Sequence, residues 1–137
     1  MSTVDDGLQS FEIDNTIHLL VDPMPAASGV AIGLWFRTGS AYERENEAGL
    51  SHFVEHMVFK GAGDRDAKEL SRAFDRIGGY LNAFTERDVV SFHCLVPAGH
   101  AELALGILLD MAYRPRFEKS DFDREKEIGR ASCRERV

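Results

Sequence analysis

An α+β fold, with a mixed and largely antiparallel sheet packed with helices, is what this sequence predicts, and three observations predict it. Strand patterns come as neighbouring pairs joined by short polar links, the arrangement that builds antiparallel sheets. Helical patterns fall between and after them in irregular order, without the strict alternation that gives a doubly wound parallel sheet. The 137 residues, 44% hydrophobic and 28% charged, suit one compact core and exclude a disordered tail, a collagen-like repeat or a membrane-embedded chain.

Residues 1–10 carry no clear pattern and are expected to be a flexible end. Residues 11–22 hold the turn signal Asp14-Asn15 between two apolar runs and predict a small hairpin. Residues 29–37 read as a buried strand, with Val30, Ile32, Leu34 and Phe36 on one face and Ala31, Gly33 and Trp35 on the other; Trp35 is assigned to the core. The polar stretch 38–46 is a loop. Asn46 suits an N-cap, Glu47 suits the positive end of a helix dipole, and Gly61-Ala62-Gly63 is a stop, which frames a helix of about four turns. Within residues 66–77, Leu70, Ala73, Phe74 and Ile77 recur at i, i+3, i+4 and i+7, and Gly78-Gly79 ends that helix. Residues 80–85 and 89–96 predict an antiparallel strand pair linked through Glu86-Arg87-Asp88. A third helix over 99–112 presents Leu103, Leu105, Ile107, Leu108 and Met111, Pro115 closes the region, and a last helix begins near Ser120-Asp121.

Composition narrows the function. The net charge of −7, from 16 Lys+Arg against 23 Asp+Glu, repels a phosphate backbone, and no basic stripe appears before residue 124, so nucleic acid is not an expected partner. The longest apolar candidate, from Leu19 to Phe36, is broken by Asp22, Pro23 and Pro25, so no membrane partner is expected. Two cysteines make no disulfide framework, and the acidic start MSTVDDGLQS lacks the apolar core of a secretory leader; a cytoplasmic location is expected.

The chemistry concentrates in SHFVEHMVFKG, residues 51–61. At about 100° per residue, His52, Glu55 and His56 fall near 0°, 300° and 40° on the wheel, while Leu50, Phe53, Val54, Met57 and Val58 centre near 170°. A helix that buries one stripe and aims two imidazoles and a carboxylate from the other is suited to a metal, zinc above all. The bland alternative is a solvated helix face. Elsewhere, His93 and Cys94 adjoin in a strand and point to opposite faces, so they cannot share a metal from one side. Cys94 shares a face with Val90 and Phe92 and reads as a buried structural thiol, while His18 and His100 read as surface or capping residues. Asn82 suits a local capping or ordering role.

His52-x-x-Glu55-His56 resembles the inverted zinc motif of the pitrilysin, insulinase and mitochondrial processing peptidase family of metallopeptidases. Gly39-Ser40, HFVEHMVFKG, GGYLNAFTERD from Gly78 and RPRFEKSDFDREKE from Arg114 are similar to that family in the same order, so the likeness covers about residues 15–127. The resemblance implies a zinc endopeptidase: His52 and His56 bind Zn2+, and Glu55 is the general base that takes a proton from the attacking water. It also implies that Asn82, Ala83, Phe84 and Thr85 form the strand against which an extended peptide or polypeptide substrate adds.

The likeness implies a third ligand, a glutamate that counts to position 132, and a supporting acidic residue at Glu125. Position 132 is Ser132, and Glu127 and Glu135 miss the expected place. Residues 11–127 then read as a partial amino-terminal peptidase domain. Residues 128–137, basic and without apolar period, read as a non-native tail whose back-translation is similar to a sequencing-library adapter. The family's site is a clamshell that implies a homologous second half or partner subunit. This chain alone is therefore expected to be inactive. The alternative is a non-catalytic structural or binding subunit of the same family.

Overall fold

The computed structural model describes residues 2–4 and 7–135, with side chains from residue 7 to residue 129. Three strands open the chain: β1 Ser2–Val4, β2 Leu8–Ile13 and β3 Ile17–Val21, an antiparallel meander in the order β1-β2-β3. Asp14 and Asn15 take φ of 52° and 57°, the left-handed pair that a tight hairpin turn needs, so the expected hairpin forms. Strand β1 had no counterpart in the sequence pattern.

The second sheet carries the core. Strand β4, Gly29–Phe36, pairs along its length with β8, Val90–Pro97, which also pairs with β7, Tyr80–Thr85; all pairings are antiparallel. Three helices lie on one face: α1 Leu50–Val58, α2 Ala67–Ile77 and α3 Ala101–Tyr113. Leu70 and Phe74 of α2 and Ile107, Leu108 and Met111 of α3 are buried against Val90, Phe92, Cys94 and Val96 of β8. A two-stranded piece, β5 Gly61–Ala62 with β6 Arg65–Asp66, links α1 to α2, and α4, Lys119–Glu135, closes the chain beside α1. Asp66 caps α2 by accepting the Glu69 N–H at 2.8 Å, and Gly78 ends it with φ of 68°. Among the described residues no helix is long and apolar enough to cross a membrane.

Trp35 is not in the core: it is 65% exposed. Alternation along β4 sends Val30, Ile32, Leu34 and Phe36 toward the helices and Trp35 to the opposite face, which no helix among the described residues covers. Its indole lies over Gly33 and meets Phe84 edge-on, centroids 5.5 Å apart.

The first helix is also shorter than expected. Gly49, at φ 90°, precedes Leu50, and this left-handed residue stops the helix from reaching back to Asn46. Glu45–Glu47 form a separate 3-10 turn. Only Met57 and Val58 of the apolar stripe are fully buried, whereas Leu50 and Val54 line an open cavity of about 380 Å³ with Phe92, Met111 and Phe117.

The loop entering α1 is fastened to the β7–β8 link. Ala41 N–H donates to the Arg87 carbonyl at 2.7 Å, and Ser40 N–H to that of Glu86 at 3.3 Å. Gly39 permits this approach at φ 147°, because a Cβ there would lie 2.4 Å from the Glu86 oxygen and 2.8 Å from that of Arg87. Gly39→Ala should therefore destabilise the fold by about 1–3 kcal/mol, read as a lower urea midpoint. An unchanged midpoint would show that the two loops are not held together.

Candidate metal centre

The start of α1 is held from outside the helix. Glu43 accepts the backbone N–H groups of Gly49 and Ser51, each at 2.7 Å, and so satisfies donors that a helix N-terminus leaves open. These bonds, that from Ser51 foremost, hold the Glu43 carboxyl below its ordinary range. A carboxylate with a lowered folded-state pKa stabilises the fold above its unfolded value, and this contribution is lost as pH falls through the folded one. Glu43→Gln should therefore flatten the decline in stability with acid, measured as urea midpoint against pH. An equally steep decline in the variant would assign the acid sensitivity elsewhere.

On the exposed side of α1, His52 and His56 stand one turn apart with their Nε2 atoms 3.1 Å from each other and their rings at 73°. Two nitrogens bound tetrahedrally to zinc at about 2.0–2.1 Å lie about 3.3 Å apart, so this spacing suits the ion. Glu55 lies on the same side. One donor atom from each of His52, Glu55 and His56 falls within 4.8 Å of the others, the metal-compatible His/Cys/Asp/Glu cluster found among the described residues.

The surrounding contacts orient these groups. His56 Nδ1 faces Glu125 Oε2 at 3.4 Å, and a proton on Nδ1 leaves Nε2 as the lone-pair nitrogen turned toward His52. Glu125 is only 7% exposed, and Lys60 Nζ donates to its other oxygen at 2.7 Å. That bond, with the Lys60 charge and the weaker His56 contact, outweighs burial and holds the Glu125 carboxyl below its usual range. The Thr85 hydroxyl of β7 donates to Glu55 Oε2. Helix α4 is braced on α1 by Phe53 and Phe122, whose rings meet edge-on at 5.2 Å.

The residues singled out from sequence fall into two groups, joined by the Thr85–Glu55 contact. His52, Glu55, His56 and Glu125 come together. Glu127 is exposed on α4 and outside the cluster, and the side chains at positions 132 and 135 lie outside the described residues. Asn82, Ala83, Phe84 and Thr85 lie on β7, which pairs with β8 along one edge and with no described strand along the other. The Asn82 amide orders its own strand, donating to the Tyr80 hydroxyl at 2.6 Å and accepting the Ala83 N–H at 2.9 Å. Cys94 is buried, and burial pushes its thiol up. His93 turns to the other face near Tyr80 and Phe84; His18 and His100 are exposed, and His100 makes no side-chain cap.

Sequence reasoning missed Lys60, Glu43 and the Thr85 hydroxyl. Lys60 lies just beyond the end of α1 and its partner Glu125 comes from α4, so no local spacing marked it. Glu43 and Thr85 carried no local signal either, because their contacts depend on the entry loop and on the packing of β7 beside α1.

Comparison with known proteins places the chain in a family. The sequence profile of the insulinase family, peptidase family M16, matches residues 20–136. A zinc protease of Bacillus subtilis, YmxG, is 36% identical over 88% of this chain and 30% of its own length. A probable mitochondrial-processing peptidase beta subunit of Arabidopsis thaliana is 30% identical over 85% of this chain and 22% of its own. The crystal structure of a protease from Helicobacter pylori superposes with a TM-score of 0.87 at 20% identity, covering 95% of this chain and 32% of that one, and shows the same fold. The chain spans less than a third of the length of these proteins. With the profile matched over most of the sequence and an inverted His-x-x-Glu-His cluster folded onto one side of a helix, the chain belongs to the insulinase family of peptidases, family M16.

Proposed function

We propose that this chain is the zinc-binding segment of a metalloendopeptidase acting on peptides or unfolded polypeptides, with His52 and His56 as zinc ligands and Glu55 as general base. The observation that carries this reading is the 3.1 Å approach of the two Nε2 atoms with the Glu55 carboxylate on the same side of α1. Zinc, when bound, supplies Lewis acidity that lowers the pKa of a coordinated water to about 7 and polarises the scissile carbonyl.

The chain's own residues do the rest. Glu125 fixes the His56 ring through Nδ1, and Lys60 fixes Glu125. Glu55 has one oxygen occupied by Thr85, and the other, without a hydrogen bond among the described residues, can receive the proton of the attacking water. The open edge of β7 offers main-chain hydrogen bonds to an extended substrate, independent of its side chains.

The third ligand is a glutamate in place of Ser132, with residues 128–137 replaced by a natural continuation. The seven-residue spacing from Glu125 to position 132, about two helical turns, supports that placement. The chain with Ser132 accordingly holds zinc weakly and does not turn over peptides, and a homologous second half or partner subunit completes the active enzyme. The alternative is a non-catalytic subunit of the same family; the intact His52, Glu55 and His56 favour hydrolysis, since such a subunit has no need to keep both ligands and the base. Zinc content after dialysis and cleavage of a fluorogenic peptide, on this chain and on one extended to the relatives' length with glutamate at 132, test the proposal. Turnover in the extended chain is expected, and its absence with zinc fully bound would favour the non-catalytic subunit.

A further inference from the structure

We infer that Thr85 is a positioning residue: its hydroxyl holds one oxygen of the Glu55 carboxylate and leaves the other aimed at the water to be deprotonated. This rests on the reading of Glu55 as general base. It departs from the role expected of Thr85, which was to offer backbone to a substrate strand. The structure gives its side chain a separate task, donation from Oγ1 to Glu55 Oε2, in a partly buried contact between β7 and α1.

The chemistry of the pair explains why a threonine suits the place. A carboxylate on a long side chain rotates about its terminal bonds, and a base that must be aligned within a few tenths of an ångström gains from a fixed partner. Thr85 is such a partner because its backbone is held in the β7–β8 ladder opposite Val90 and its β-branched side chain is stiff at χ1. The donor thus belongs to the sheet and the acceptor to the helix. The hydrogen bond fixes the carboxylate to a frame other than its own backbone. The lone-pair acceptors of Glu55 are also divided: Oε2 is occupied, and Oε1 makes no described hydrogen bond.

Three substitutions separate positioning from structure. Thr85→Val keeps the branched shape and removes the hydroxyl, Thr85→Ser keeps the hydroxyl and removes the methyl, and Glu55→Gln removes the base. In the chain extended to the relatives' length, Thr85→Val should lower kcat about tenfold to a hundredfold while KM and zinc content stay at the parental level. Thr85→Ser should return kcat to within about threefold of the parent. In the 137-residue chain itself, the 13Cδ resonance of Glu55 should move in Thr85→Val and return in Thr85→Ser, with the rest of the spectrum in place.

Unchanged kcat and an unmoved Glu55 resonance in Thr85→Val would overturn the inference. A Thr85→Ser variant as impaired as Thr85→Val would overturn it as well, since shape rather than the hydroxyl would then matter. If Glu55→Gln itself turned over peptide at the parental rate, the assignment of the base would fail, a result distinct from either of these.

Discussion

Glu55→Gln, in a chain extended to the relatives' length, is expected to keep its zinc and to lose about 10²–10⁴ in peptide turnover, the contribution of a well-placed general base. Glutamine has the size and shape of glutamate and retains a carbonyl oxygen that accepts from Thr85, so helix α1 and its contact with β7 are preserved. What it cannot do near neutral pH is take a proton. His52→Ala and His56→Ala should differ in kind, losing metal together with activity, because each removes one of the two Nε2 atoms that face one another. Metal content and kcat measured on the same preparations distinguish the two classes. Parental turnover by Glu55→Gln would mean that another group activates the water.

Ser132→Glu in the 137-residue chain is expected to tighten zinc binding by more than about a hundredfold. The magnitude follows from comparison: loss of an outer hydrogen-bonding partner typically costs 10–100-fold in affinity, and a direct ligand contributes more than its supports. Position 132 follows Glu125, which already reaches His56, by seven residues, about two helical turns, and it is where the family likeness counts the third ligand. Competition with a zinc-sensitive chelator gives the Kd of both chains. Peptide cleavage is expected to remain absent, because the proposed reading assigns part of the active site to a second half or partner subunit. An unchanged Kd would show that the third donor lies elsewhere, and Glu127 and Glu135 would be the next residues to replace.

The fold class and the centre of the site were legible because both depend on periodicities of the chain itself. The His-x-x-Glu-His spacing places three donors on one side of any helix, and α1 realises it with the nitrogens in reach of one ion. The helix over 67–77 and the two strands of 80–97 were equally legible, as the Asp66 cap, the Gly78 stop and the apolar residues Val90, Phe92, Cys94 and Val96 at every second position of β8 are local signals. The misreadings share a physical origin in tertiary structure. Trp35 was placed in the core because alternation shows that a strand has two faces and cannot show that helices cover only one. The first helix was drawn too long because Asn46 and Glu47 have good capping chemistry, while the chain instead forms a 3-10 turn, turns at Gly49 and is capped by Glu43 from the preceding loop. Lys60 and the Thr85 hydroxyl contact were missed for the same reason. Each acts through a partner brought close by folding, Glu125 of α4 in one case and Glu55 of α1 in the other.

The central claim, that His52 and His56 hold zinc beside Glu55, is tested most directly by anomalous scattering at the zinc absorption edge from crystals of the Ser132→Glu chain grown with zinc. The account predicts one strong peak within about 2.1 Å of the Nε2 atoms of both histidines, on the side of α1 that carries the Glu55 carboxylate. A peak bound by other residues, or none between His52 and His56 at full zinc occupancy, would contradict it.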